Sequence, residues 1–207
     1  MARVVKNPEE RRREIVSASR SLFLKQGYEN TTMQDVITKL QIAKGTVYYY
    51  FESKEELLEA VVEEMVAAYI AMVETALDEC KGNALEKMRL LISAGKVVPR
   101  QTDIMDHLHR PDNMGMHVRL LAATLSQLAP LYARVISQGC GEGLFHTEHP
   151  LECAEVLLAG IQFVTDLGCY PWTQQNLNRR ARAIPALIEN QLRAPKDAFS
   201  FLFEQNY

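Results

Sequence analysis

Strand-like alternation of polar and apolar residues is nearly missing from this sequence, which excludes a sheet-based fold. Glycine (10) and proline (8) are too sparse for a collagen-like or low-complexity chain. The first residues, MARVVKNPEERRRE, lack the apolar stretch of a secretory signal. No uncharged apolar run reaches the ~20 residues of a membrane span. Cys80, Cys140, Cys153 and Cys169 lie without metal or redox spacing, so with no export signal they are expected to be reduced, structural thiols. Nucleophile motifs and Gly-rich phosphate loops are also wanting, and Asp106, His109 and His117 form the only plausible acid–base set. These absences leave a cytoplasmic, non-enzymatic protein with no membrane segment, metal or cofactor as the expectation.

What the 207 residues do contain is helix signal and an uneven charge. The whole chain has a net charge of -3. Through Lys54 ten Lys/Arg oppose six acids, so this stretch carries about +4 and the remainder about -7. A basic head on an acidic body suits a polyanion partner for the head alone.

Asn7, Pro8 and Glu10 start a first helix with a cap, a first-turn proline and a capping-box acid, and Gly27 stops it. Thr32 caps a short second helix with Met33, Val36, Ile37 and Leu40 as its apolar positions. After a break at Gln41 to Ala43, a third helix runs from Lys44 to about Phe51. Ser53 with Glu56 opens a long fourth helix that ends between Asp78 and Gly82. Beyond it the pattern stays helical. Met114 to Ser137 forms a long helix expected to bend at Pro130, and further helices run from Pro150 to Leu167 and from Thr173 to Leu192. The tail DAFSFLFEQNY carries three phenylalanines and is expected to dock rather than hang free. The fold class is therefore all-α, divided near residue 59: a three-helix head over 1–58 and a helical body over 59–207.

Two short helices joined by a tight turn inside a basic three-helix unit form a helix-turn-helix. At near 100° per residue, Val47 and Phe51 share one face of the third helix, which is expected to be buried. Tyr49 points away from that face, with Gly45 near it, while Tyr48 and Tyr50 flank the boundary. Tyrosine hydroxyls, threonines, helix-start amides and lysines all suit phosphate oxygens, and a glycine permits close backbone approach. Double-stranded DNA is thus the expected partner of this face.

The stretch TTMQDVITKLQIAKGTVYYYFESKEELLEAVV, Thr31 to Val62, resembles the DNA-binding segment of the TetR (tetracycline-repressor-like) family of bacterial transcriptional regulators. The match extends back to about Arg11 and covers roughly a quarter of the chain. Thr32, Val36, Gly45, Tyr48, Phe51, Lys54 and Leu57 carry it. The resemblance implies operator contacts by Thr32, Lys44, Thr46, Tyr48, Tyr49 and Lys54, to which the wheel adds Gly45 and Tyr50. Three departures stand out. Gln41 occupies a turn position where the family has glycine, Ala43 replaces the usual capping serine, and Leu40 is bulkier than the usual alanine.

The same resemblance implies a homodimeric repressor whose body binds a small-molecule effector of unknown identity. Its fourth helix, of about 25 residues and roughly 37 Å, would transmit occupancy to the head. Tyr69, Met72, Met105, His109, His117, Leu121 and Phe163 are the expected pocket residues. Leu151, Leu158, Ile161, Ile188 and Leu192, on the last two long helices, are the expected dimer contacts. An architectural or nonspecific DNA-binding protein is the alternative, and it would depend chiefly on charge.

Overall fold

The structure, a computed structural model, describes residues 7–97 and 109–204. Every regular element among them is helical. In chain order these are α1 (Pro8–Gln26), α2 (Met33–Leu40), α3 (Lys44–Tyr50), α4 (Lys54–Glu79) and α5 (Ala84–Val97). A 3₁₀ turn at Pro111–Asn113 follows, then α6 (Met114–Gly141), α7 (Pro150–Thr165), α8 (Gln174–Leu192) and α9 (Phe201–Glu204).

The described residues form two compact units, and neither is a single run of chain. The first comprises 7–67 with 109–120, and the second 68–97 with 121–204. Residues 109–120, distant in sequence from the head, belong with it because their backbone and side chains bond to the end of α1, as described below.

In the first unit Ile15, Phe23, Val36, Val47, Phe51, Leu57 and Val61 make the core. Phe23 and Tyr28 meet edge to face at 5.2 Å, a favoured aromatic geometry. The expected caps are in place. Asn7 accepts from the amide of Glu9, and Gly27 ends α1 at φ 95°, where a side chain would be strained. Thr32 and Asp35 form a reciprocal capping box on α2. Ser53 accepts from the amide of Glu56, whose carboxylate reaches back to the amide of Glu52.

The turn between α2 and α3 carries the departures noted in the sequence. Gln41 is left-handed at φ 52°, ψ 40°, and Ala43 is extended with no side-chain bond to α3. Gln41→Gly removes a strain on the order of 1 kcal/mol, and Ala43→Ser adds a cap worth about 0.5–2 kcal/mol. Both variants should raise the denaturation midpoint of the first unit. A midpoint at or below that of the parent would contradict this account of the turn.

The second unit is built on Val73, Leu77, Met88, Leu91, Leu131, Val135, Ile136, Phe145, Leu192, Phe199 and Phe201. Asn83 and Glu86 cap the start of α5 reciprocally, and the carboxylate of Glu142 accepts from the amide of Ala84 at 2.9 Å. In the described part of the tail, Phe199 stacks on Phe145 at 6.1 Å and Arg89 lies over Phe201 at 4.6 Å. By length and hydropathy the stretch Pro111–Gly141 meets the test for a membrane span. Within it Met116, Leu131, Val135 and Ile136 are buried, and Arg119 and Arg134 pair with Glu59 and Asp78.

Candidate nucleic-acid interface

The seven residues of α3 separate into inward and outward sets as the wheel requires. Val47 is fully buried and Phe51, just beyond the helix, is 1% exposed. Tyr49 is 80% exposed and Tyr48 40%, while Tyr50 is half-buried with its ring against Tyr49 at 5.0 Å. The Lys44 ammonium lies 5.4 Å from the Tyr48 ring centre, within range of a cation–π contact. Gly45 has ample room: a Cβ added there would find nothing within 4 Å. Neither its backbone nor its packing demands glycine, so the vacant space matters only to something that arrives from outside. Arg12, Arg13 and Lys44 are exposed cations of this unit, and Arg12 also covers the Phe51 ring at 5.2 Å.

Two expected DNA contacts have intramolecular work. Lys54 donates to the carbonyls of Tyr28 at 3.0 Å and Glu29 at 3.3 Å, and it sits 4.3 Å over the Tyr28 ring. Only its remaining N–H is available to a phosphate. The Thr32 hydroxyl accepts from the Asp35 amide and donates to the Asp35 carboxylate, so it has no proton left to give. Thr46 is half-buried at the first turn of α3, its amide bonded to the Ala43 carbonyl.

The amide of Thr32, then its hydroxyl, hold the Asp35 carboxyl below the usual range. The sign follows from linkage: a depressed folded-state value gives stability that is present above the ordinary carboxylate value of about 3.9 and lost as pH falls through the folded one. The stability difference between the parent and Asp35→Asn should therefore shrink on acidification through this range. Urea denaturation at pH 6 and at pH 3 reads it, and a difference that does not change with pH would refute the box's electrostatic role.

The expected ligand residues do not gather in one place. His109 and His117 belong to the first unit, where their rings meet edge to face at 5.1 Å. Tyr69 and Leu121 belong to the second, both half-buried. Met105 lies outside the described residues. Met72 and Phe163 are 44% and 60% exposed: α4 buries the stripe Val66, Ile70, Val73, Leu77, and α7 turns Phe163 outward beside Val156, seven residues earlier. Tyr132 went unremarked in the sequence; burial, then the neighbouring Tyr69, pushes its phenol well above the ordinary value. Burial raises Tyr69 too. An open cleft of about 890 Å³ lies elsewhere in the second unit, lined by His146, His149, Glu152, Cys153 and Arg193 among others. No expected ligand residue lines it.

The expected dimer contacts divide similarly. Leu151 is exposed, and Leu158 and Ile161 are half-buried. Ile188 and Leu192 are buried inside their own chain, where α8 packs them into the second unit's core. The large hydrophobic that α8 shows to solvent is Leu187, and α7 shows Leu151, Val156 and Phe163. Burial, then Asp166, raises the Cys169 thiol above its ordinary value.

Comparison with known proteins bears on both units. Residues 15–61 match the family model for bacterial regulatory proteins of the tetR family. Residues 96–186 match a tetracyclin repressor-like C-terminal domain, so the two cover about two thirds of the chain. The fatty acid metabolism regulator protein of Bacillus subtilis is 30% identical over 80 residues, 39% of this chain and 41% of its own. The HTH-type transcriptional repressor KstR2 of Mycolicibacterium smegmatis is 29% identical over 87 residues, 42% of each chain. The chain thus spans less than half the length of these curated relatives. Solved structures extend the likeness of fold. A TetR-family regulator from Pectobacterium atrosepticum has a TM-score of 0.67 at 19% identity, over 94% of this chain and all of the other. The fatty acid degradation regulator FadR of Bacillus halodurans has a TM-score of 0.59 at 17% identity, over 91% and 94%. With its helix-turn-helix, its all-helical second unit and a match in each, the chain belongs to the TetR family of bacterial regulatory proteins.

Proposed function

We propose that this chain is a cytoplasmic, homodimeric transcriptional repressor that binds operator DNA through α3 and is controlled by a small molecule. The outward set Lys44, Gly45, Tyr48 and Tyr49 is the observation that carries this reading. Large aromatics and a cation stand in solvent on a helix whose opposite side is locked into the core, and a glycine there leaves a backbone open to close approach. Thr32, Thr46, Tyr50 and Lys54 flank this set and support it with fewer free hydrogen-bonding groups.

Dimerisation follows from the size of the reading element. One seven-residue helix reaches too few base pairs for a specific site, whereas two copies read half-sites about 34–36 Å apart. Leu151, Val156, Phe163 and Leu187 offer the exposed apolar surface that a second copy would cover. The effector would lie in the second unit near Tyr69, Leu121 and Tyr132, where two phenols among aliphatic side chains suit a largely apolar molecule with a hydrogen-bonding group. Two similar proteins are regulators of fatty acid metabolism or degradation by name, which is consistent with that chemistry.

Selection of bound duplexes from random DNA tests the proposal. A palindromic consensus with half-sites one helical turn apart is the expected result. Enrichment of no sequence, with affinity set by salt alone, would replace this reading with nonspecific binding. The charge of about +4 through Lys54 is small for that alternative.

A further inference from the structure

Asn113 is fully buried, and its amide serves a part of the chain far away in sequence. Its Oδ1 accepts from the backbone N–H of Tyr28 at 2.7 Å, and its Nδ2 donates to the carbonyl of Phe23 at 3.2 Å. Both groups lie at the end of α1, where helix carbonyls and the amides of the following turn lack regular partners. Gly27 bonds the Phe23 carbonyl in the usual C-terminal manner. Asn113 completes the cap from 85 to 90 residues away.

Its neighbours add to the same attachment. The carbonyl of Asp112 accepts from the amide of Glu29 at 3.1 Å. The Asp112 carboxylate accepts from Asn30 at 3.0 Å and from Arg110 at 2.8 Å. A Cβ at Gly27 would come within 2.3 Å of that carboxylate, so the close approach needs glycine as much as φ 95° does. From the other side, Lys54 ties down the carbonyls of Tyr28 and Glu29. The turn 27–31 is thereby clamped between the first residue of α4 and the 3₁₀ turn 111–113, and it leads directly into the Thr32 cap of α2.

We propose that Asn113 is a positioning residue for DNA reading: seated, it fixes the lead-in to α2 and so the attitude of α3. This rests on the DNA-binding function proposed above. Unseated, the head keeps its core of Phe23, Val47 and Phe51 but loses the fixed approach to the reading pair. His109 and His117 stand four residues before and after Asn113, with their rings in contact.

The test uses the full chain with Asn113→Ala and, as a milder variant that leaves the core intact, Asp112→Ala. Amide exchange at Tyr28 is measured without DNA. Affinity and active fraction are measured on a duplex taken from the selection experiment. Asn113→Ala should exchange Tyr28 about tenfold faster and bind about tenfold more weakly at full active fraction. Asp112→Ala should shift both in the same direction by about threefold. Mere loss of folded protein would instead lower the active fraction and leave the affinity of the remainder unchanged. Unchanged Tyr28 exchange, or faster exchange with parental affinity, overturns the proposal. Should Asn113→Ala not fold, Asp112→Ala decides by the same criteria. A parent that enriches no duplex removes the DNA-reading role along with the function it rests on. Tyr28 exchange, which needs no DNA, tells that outcome apart from a failure of the clamp.

Discussion

Tyr49→Ala should leave the melting temperature unchanged and weaken operator binding by about tenfold or more. The two halves of this expectation have separate physical grounds. Tyr49 is 80% exposed, and its recorded ring contact is with the half-buried Tyr50. Substitutions at such sites usually alter stability by no more than about 0.5 kcal/mol. On DNA the same ring and hydroxyl would contact backbone or base edges, and losing such a contact costs about 1–3 kcal/mol. Tyr49→Phe divides the effect, since it keeps the ring and removes the donor. Thermal melting and fluorescence anisotropy on a selected duplex are the measurements. Parental affinity in Tyr49→Ala would remove α3's outward face from the interface.

Two positions along, Phe51→Ala should have the opposite character. Phe51 is 1% exposed, among the largest fully buried side chains, and Arg12 covers one side of its ring. Truncating a buried phenylalanine costs about 3–5 kcal/mol through lost transfer energy and the cavity left behind. That is comparable with the whole stability of a small unit. DNA binding should disappear, and amide protection in α1 to α3 should collapse. A variant that retains protection and binds DNA within about twofold of the parent would show that Val47 and Leu57 suffice to hold the recognition helix.

The head was legible because its signals are local. One period of about 3.6 residues separates Val47 and Phe51 from Tyr49, and Gly27, Thr32 and Ser53 mark boundaries by their own chemistry. Even the left-handed turn at Gln41 could be anticipated from its position. The body was less legible. A wheel gives the angle of a side chain but not which of two apolar stripes meets the chain's own core. Ile188 and Leu192 lie in the chain's own core while Leu187 faces solvent, and Met72 and Phe163 are exposed. Nothing near Asn113 in sequence announces that its partners are Phe23 and Tyr28, because bonds across 85 residues or more leave no periodic trace. Lys54 shows the same limit in miniature. Its position suggested a phosphate contact, and only three dimensions reveal the two carbonyls it already serves.

The discontinuous first unit has a consequence for engineering. Grafting this head onto another sensor, by exchanging residues up to the middle of α4, would leave behind the residues that finish α1. The Phe23 carbonyl and the Tyr28 amide would face whatever the recipient supplies at the corresponding place. The transplantable cassette is a two-piece part, 7–67 together with 109–120, and a hybrid cut at one junction inherits a reading head with its fastening removed.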